Sequence, residues 1–270
     1  MRARRLRALL AGILAAAVLS GTAGCAQSVD PIERLGKKAA QRVRRSYGPH
    51  EGAYRHWGLT APLAPAPWPA RPLPRHTDAD EETLPEVLDR VPTHDKVVFL
   101  TYDEGAERDP RFVEMVRELR LPVSVFLTDT AVGPAYARVA RLRAAGATIQ
   151  NRTMDHAGLR GRPYAEQRAQ ICAGRDRLRS RLGRRPVLLR PPYGRYDRTT
   201  LRAAADCGIK ALILWRPTRA YGRATALHPG DILRPHEPGR PLTSLTAETT
   251  RVLRRLQSRG FTVARLEDYL

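Results

Sequence analysis

The chain has 270 residues, with 47 Lys+Arg against 27 Asp+Glu and a formal net charge of +20. Its 42% hydrophobic and 27% charged residues supply enough apolar surface for one sizeable core, which excludes a fully disordered protein, and a mean hydropathy of −0.43 excludes a many-span membrane protein. The basic residues are 43 Arg and only 4 Lys, a skew that reads as compositional bias as much as selection for a polyanion; no nucleic-acid-binding motif accompanies it.

Arg2, Arg4, Arg5 and Arg7 precede an apolar run from Ala8 to Leu19 and a small-residue stretch that ends at Cys25. This is the pattern of a bacterial export signal. An apolar run of about 12 residues falls short of the roughly 20 that a spanning helix needs. Ala23-Gly24-Cys25 resembles a lipobox, with Thr22 where Leu is usual, so Cys25 is the expected lipidation site and the first mature residue; an ordinary secretory signal with an incidental Cys is the alternative. Residues 1–24 are thus expected to leave, taking four arginines and no acids and lowering the charge to near +16. The protein is then expected outside the cytoplasm, held at the membrane by lipid. In an oxidising compartment Cys172 and Cys207 form either a disulfide or two buried free thiols.

Residues 25–95 read as a lipid-proximal spacer. Lys37, Lys38, Arg42, Arg44 and Arg45 lie near the anchor, either facing anionic lipid or wall polymer or forming a solvated short helix. Ala61 to Pro74 alternates Pro with small residues, a composition for extended polyproline II and a surface spacer. Glu81 to Leu88 is expected to add one short helical turn.

From residue 96 to 270 the pattern changes to short apolar runs alternating with amphipathic stretches. Val97–Tyr102, Val123–Leu127, Thr148–Asn151, Val187–Arg190, Ala211–Trp215, Ile232–Leu233 and Thr262–Ala264 read as strands. Pro110–Leu119, Pro134–Ala145, Pro163–Leu182, Arg198–Cys207 and Leu245–Arg259 read as helices, three of them opened by Pro, which suits the first helical turn. Repeated β-α units predict an α/β fold with a parallel sheet, closed as a barrel or left open. Chemistry in a parallel barrel sits at the C-terminal ends of the strands. The residues there are the polar ones: Thr101-Tyr102-Asp103-Glu104-Gly105, Asn151-Arg152-Thr153-Met154-Asp155-His156, Arg190-Pro191-Pro192-Tyr193-Gly194, Trp215-Arg216 and His236-Glu237.

These motifs, with Gly230-Asp231-Ile232-Leu233-Arg234-Pro235-His236, follow one another as in the polysaccharide deacetylase family, which the chain resembles from Lys96 to Leu270. That family is the NodB-homology group of carbohydrate esterases. The resemblance implies a distorted (β/α) barrel and hydrolysis of acetyl groups on chitin, peptidoglycan or related glycans with a divalent metal, usually zinc. It would make Asp103 the general base, His236 the acid that protonates the leaving group, and Arg190 the residue that orients the base. Tyr193 would offer a backbone donor to the oxyanion, and Trp215 and Leu233 would wall the acetyl pocket. Such roles fit a hydrolysis that needs one proton acceptor and one donor.

The family's metal is held by the second acidic residue of the first motif and by both histidines of the second. Here those positions are Glu104, Arg152 and His156. Glu104 and His156 can still offer lone pairs; Arg152 cannot, because guanidinium has no acceptor and carries a fixed positive charge. A bidentate Glu104–Arg152 ion pair across the former metal site is one expectation. Drift at both positions without pairing is the other. In neither case does a protein cation lower the pKa of water from 15.7 towards 7, as a catalytic zinc does by about 8 units. Two functions follow. One is a cell-surface deacetylase with an altered site and a weakly held or absent zinc; the other is a non-catalytic lipoprotein that binds acetylated glycan, peptidoglycan or an anionic wall polymer. Nucleic acid is not an expected partner.

Overall fold

In the computed structural model the described residues are 52–69, 84–217, 226–236, 241 and 245–270. The export signal, Cys25 and the Lys37–Arg45 stretch lie outside the described residues, as do 70–74 and 81–83 of the two segments read above. In chain order the elements are α1 (Ala53–His56), β1 (Glu86–Leu88), β2 (Val97–Asp103), α2 (Pro110–Glu118), β3 (Val123–Leu127), α3 (Asp129–Val132), α4 (Tyr136–Ala144), β4 (Thr148–Asn151), α5 (Tyr164–Leu182), β5 (Leu188–Leu189), α6 (Arg198–Asp206), β6 (Ala211–Ile213), β7 (Arg216–Pro217), β8 (Ile232–Arg234), α7 (Leu245–Ser258) and β9 (Thr262–Val263). Among the described residues no helix is long and apolar enough to cross a membrane.

The strand pairs are parallel, in the order β1-β6-β5-β4-β3-β2-β8-β7, with β9 added on β2. An antiparallel bridge between Arg90 and Asp231 stitches the chain after β1 to the start of β8, with Val91 N–H donating to Gly230 O at 2.8 Å. The sheet is curled into the distorted (β/α) barrel that the family resemblance implied, where the alternating pattern leaves the choice between a closed and an open parallel sheet.

Period-2 alternation divides the core. Val97 and Phe99 join Phe126, Leu188, Ile213 and Ile232 in one cluster, while Val98, Leu100 and Tyr102 pack on the other side with Phe112, Met115 and Leu253 from α2 and α7. A third cluster lies under α5 and α6. There Cys172 and Cys207 form a disulfide with a Cα–Cα separation of 5.2 Å, which settles the choice the sequence left open. Gly174 on α5 is a close-approach residue: a Cβ there would lie 2.6 Å from Asn151 Oδ1 and 2.7 Å from the Thr153 backbone, so glycine lets the helix reach β4.

Two expectations change. Glu86–Leu88 is a strand, not a helical turn, and lies ahead of the boundary expected at Lys96. Val87 packs against the third cluster and Leu88 joins the cluster of Phe99, so consecutive side chains serve opposite faces, as a strand requires and a helix does not. The start of the Pro-rich segment is a strap docked on the domain. Gln257 Nε2 donates to Ala61 O, Thr262 Oγ1 to Ala64 O and Tyr269 O–H to Pro67 O, while Trp57 and Leu59 are buried. Prolines cannot donate backbone hydrogen bonds, so the barrel's side chains supply the donors and the strap the carbonyls.

Candidate active site

The alternation along β2 that buries Val97 and Phe99 carries Thr101 and Asp103 to the same face at the strand's C-terminal end. Arg190 leaves the end of β5 and meets both. Its Nη1 donates to Asp103 Oδ1 at 2.9 Å, its Nη2 to Thr101 Oγ1 at 2.7 Å, and its Nε to Ile213 O at 3.4 Å. The guanidinium is wholly buried, 4.2 Å from the Phe126 ring centre and 5.2 Å from that of Trp215. Burial pushes its pKa down to about 10, so it stays charged at neutral pH.

The other Asp103 oxygen is also engaged. Arg234 Nη1 donates to Oδ2 at 3.1 Å, and its guanidinium lies 3.9 Å from the Trp215 ring centre. Arg152 Nη2 is 3.5 Å from the same oxygen, while Arg152 Nη1 lies 2.7 Å from Glu104 Oε1. Burial alone would raise the Asp103 pKa; Arg190, Arg152 and Arg234 outweigh it and hold the carboxyl below its ordinary value.

The Glu104–Arg152 pair exists, but it is not the bidentate fork expected from the sequence. One guanidinium nitrogen goes to each of two carboxylates, because Asp103 competes for the second edge of the fork. Glu104 Oε2, Arg152 Nε and His156 Nε2 are left buried without hydrogen-bond partners. His156 and Thr153 stand at φ 65 and φ 70, left-handed backbone that side-chain-bearing residues seldom adopt, so the loop after β4 is held in a strained path. Burial first, then Arg152, lowers the His156 pKa, favouring neutral imidazole. Its ring centre is 4.9 Å from that of Tyr193.

Tyr193 sits at φ 59 in the turn Pro192–Gly194 with 65% of its surface exposed at the rim. Trp215 lies against Gly194 and between Arg190 and Arg234. Leu233 is 1% exposed in the cluster with Leu100 and Tyr102, and its carbonyl accepts from Thr101 Oγ1 at 2.8 Å. His236, beyond β8, donates from Nδ1 to Glu248 Oε2 at 2.8 Å; Glu248 is buried on α7. A carboxylate on Nδ1 fixes the orientation of the ring and leaves Nε2 as the other nitrogen.

The structure thus joins Asp103, Glu104, Arg152 and Arg190 in one charged cluster, with Trp215 stacked against it and the His156–Tyr193 pair in the electrostatic range of Arg152. Three contributors were missed in the sequence. Thr101 opens a motif whose signal lies in the two acids that follow. Arg234 occupies a position that the motif leaves variable, and Glu248 comes from a helix with no motif.

The residues present do not fit the divalent ion the family uses. Glu104 Oε2 and His156 Nε2 are unpartnered lone-pair candidates, but the third position carries a guanidinium bonded to the other Glu104 oxygen, and a cation there repels a metal ion instead of ligating it. Among the described residues no group of three or more His, Cys, Asp or Glu could hold a metal.

A parallel, distorted (β/α) barrel with its polar side chains gathered after the strand ends is the architecture of carbohydrate esterases of the NodB type. Residues 90–212 match the polysaccharide deacetylase family model. An uncharacterized Streptomyces coelicolor protein, SCO4760, is 55% identical over 201 residues, covering 72% of this chain and 81% of that protein. A chitooligosaccharide deacetylase of Bradyrhizobium sp. is 27% identical over 190 residues, covering 62% of this chain and 87% of that protein. Among solved structures the fold is similar to a CE4 family pseudoenzyme from Bacillus anthracis, BA3943, with a TM-score of 0.59 at 20% identity, covering 68% of this chain and 69% of that one. A BA3943 mutant with restored enzymatic activity matches with the same TM-score. The chain belongs to the polysaccharide deacetylase family.

Proposed function

We propose that this protein is a lipid-anchored, extracytoplasmic member of the family that binds acetylated glycan at the barrel mouth and has exchanged metal-dependent deacetylation for recognition. The observation that carries the reading is the Arg152 guanidinium, 2.7 Å from Glu104 and 3.5 Å from Asp103. It supplies the positive charge that the two carboxylates need, without a site where water can be ionised. Asp103 is a poor base in this setting, since a proton on its carboxyl would have to be taken against three guanidiniums. The exposed Tyr193 ring offers a flat apolar face at the rim, suited to stacking on a sugar. A neighbouring fold that is itself a pseudoenzyme agrees with this reading. The glycan class is taken from the Bradyrhizobium relative, whose name specifies chitooligosaccharide.

Acetate release from N-acetylglucosamine oligomers with added Zn²⁺ tests it, comparing wild type with the Glu104→Asp/Arg152→His double variant. We expect the wild type to bind oligomers and release no acetate, with weaker binding in Tyr193→Ala, and the double variant to acquire zinc and measurable release. A second reading, a deacetylase working with an altered site, draws on the His236–Glu248 pair, which holds the imidazole in a fixed orientation. Wild-type acetate release that disappears in both Asp103→Asn and His236→Asn would establish that reading and overturn ours.

A further inference from the structure

The two ends of the barrel differ in charge. Connections that follow the strand C-termini carry both signs, with Asp103, Asp129, Asp155 and Asp197 beside Arg152 and Arg190. Connections that lead from helix C-termini back to the strands, at the opposite end, are nearly all basic, and the last-turn carboxylates Glu118 of α2 and Asp206 of α6 already accept from Trp57 and Tyr164. Arg120 after α2, Arg143 in the last turn of α4, Arg181, Arg184 and Arg185 around the end of α5, and Arg259 after α7 are all exposed. Among the described residues no carboxylate lies within 4.0 Å of any of them.

Helix dipoles explain part of this pattern. A cation in the last turn offsets the partial negative charge there, and Arg143 and Arg185 donate to the terminal carbonyls of Leu182 and Cys207. Arg120, Arg184 and Arg259 lie past the helix ends, in the connecting turns, where that effect has faded. Between the ends of α4 and α5 the surface opens into a cavity of about 520 Å³, walled by Arg143, Arg184, Arg185 and Arg265 over the aliphatic Leu178 and Leu182. Of the two acids in its wall, Glu267 already accepts from Ser124, Thr148 and Gln150, which leaves Asp268 against four guanidiniums.

The N-terminal chain arrives at this same end. Trp57 Nε1 donates to Glu118 at the close of α2, Arg254 Nε to Gly58 O and Gln257 Nε2 to Ala61 O near the close of α7. Gly52, where the described chain begins, therefore lies away from the site, and the proposed anchor at Cys25 is upstream of it.

We infer that this arginine-rich end is a membrane-docking face that seats on anionic phospholipid, so that the mouth bearing Asp103 and His236 points away from the bilayer. The inference rests on the lipid-anchored part of the proposed function. The anchor supplies proximity, and the charge selects the face. Guanidinium is suited to the contact because its planar fork takes two oxygens of one phosphodiester, and the cavity gives a headgroup a place to enter.

The acylated mature protein, inserted by its anchor into vesicles, tests the orientation. The vesicles contain phosphatidylcholine alone or an equal mixture with phosphatidylglycerol, each doped with a lipid carrying a nitroxide on its headgroup. A fluorophore is placed at Arg259→Cys on the docking face or at Arg195→Cys near the mouth. In the anionic vesicles we expect quenching of the Arg259 label to be roughly threefold stronger than that of the Arg195 label, since a docked face sits within about one Debye length, ~8 Å, of the headgroups. The contrast should collapse in neutral vesicles, and in anionic ones on Arg181→Gln/Arg184→Gln/Arg185→Gln. Equal quenching in anionic vesicles, stronger quenching at Arg195, or a contrast that survives the triple variant overturns the docking face. Displacement of the docked state by soluble glycerol-phosphate polymer at constant ionic strength assigns the arginines to a wall polymer and overturns it too. Failure to float with either vesicle sinks the anchored reading itself and the docking that rests on it, and it is recorded separately from the quenching.

Discussion

Asp103 meets three guanidiniums with one carboxylate, and the balance is completed by Glu104 through Arg152. The cluster lies in a largely buried place, where removing one partner is far costlier than the pair's net worth. We expect Asp103→Asn to lower stability at neutral pH by about 3–5 kcal/mol, read from urea unfolding, since three cations keep their burial and lose their shared counter-charge. Because the folded-state pKa of Asp103 is depressed, its contribution is present above the unfolded value of about 3.9 and is lost as pH falls below that towards the folded one. Stability measured from pH 6 downwards should thus fall below about pH 4 in the wild type, with a shallower slope in Asp103→Asn. A variant as stable as the wild type at neutral pH, with the same acid slope, would show that the cluster does not hold the mouth together. Asp103, Glu104, Arg152 and Arg190, which the structure brings together, can each be named from the sequence because each stands in a motif with fixed spacing. The geometry of the Arg152 fork is not legible there, because it depends on how far Asp103 reaches from a neighbouring position on the same strand end.

Elements declared themselves in the sequence where periodicity ran long enough, and failed to where a strand is only a few residues. β2, β3 and β4 are runs with apolar or alternating character, and Asp109 and Asp197 cap α2 and α6 where the helix patterns begin. β1 has three residues, too few to show a period, and its pairing with β6 is set by a chain segment more than a hundred residues away. Besides that pairing, the stitch from Val91 to Gly230 ties the chain after β1 to the start of β8, and that stitch demands glycine. Gly230 stands at φ 81, and a Cβ there would lie 1.9 Å from Val91 O. Gly230→Ala must move the backbone on one side of the closure as well as adopt an unfavoured conformation, for a cost of about 2–3 kcal/mol. The expected signature is a lower urea midpoint together with faster amide exchange at Val91 and Ile232. Unchanged exchange at both would mean that the stitch is not what joins β1 to β8.

At the scale of the whole molecule, residues 52–69 of the segment read as a spacer are part of the folded unit. Trp57 is 5% exposed, packs in the cluster shared with α2 and α7, and donates its indole N–H to Glu118 Oε2 at 2.8 Å, an oxygen also met by His56 at 3.1 Å. Composition could not reveal this, because a Pro-rich stretch looks the same whether water or a barrel surface hydrogen-bonds its carbonyls. One buried aromatic anchors the strap with Leu59 beside it; the later contacts are the partly buried Leu63 and Ala66 and single hydrogen bonds to backbone oxygens, each bond worth about 1 kcal/mol or less when solvent competes. Removing the anchor should release the strap before it unfolds the barrel. We expect Trp57→Ala to cost about 3–5 kcal/mol in global stability if strap and barrel unfold together. If they separate, limited proteolysis should cut between Gly52 and Pro69 in the variant, while the cut protein keeps the barrel's circular dichroism. Either result places Trp57 at the joint between tether and domain. A variant that resists proteolysis in that segment and matches the wild type in urea would show that the prolines and their carbonyls hold the strap without it.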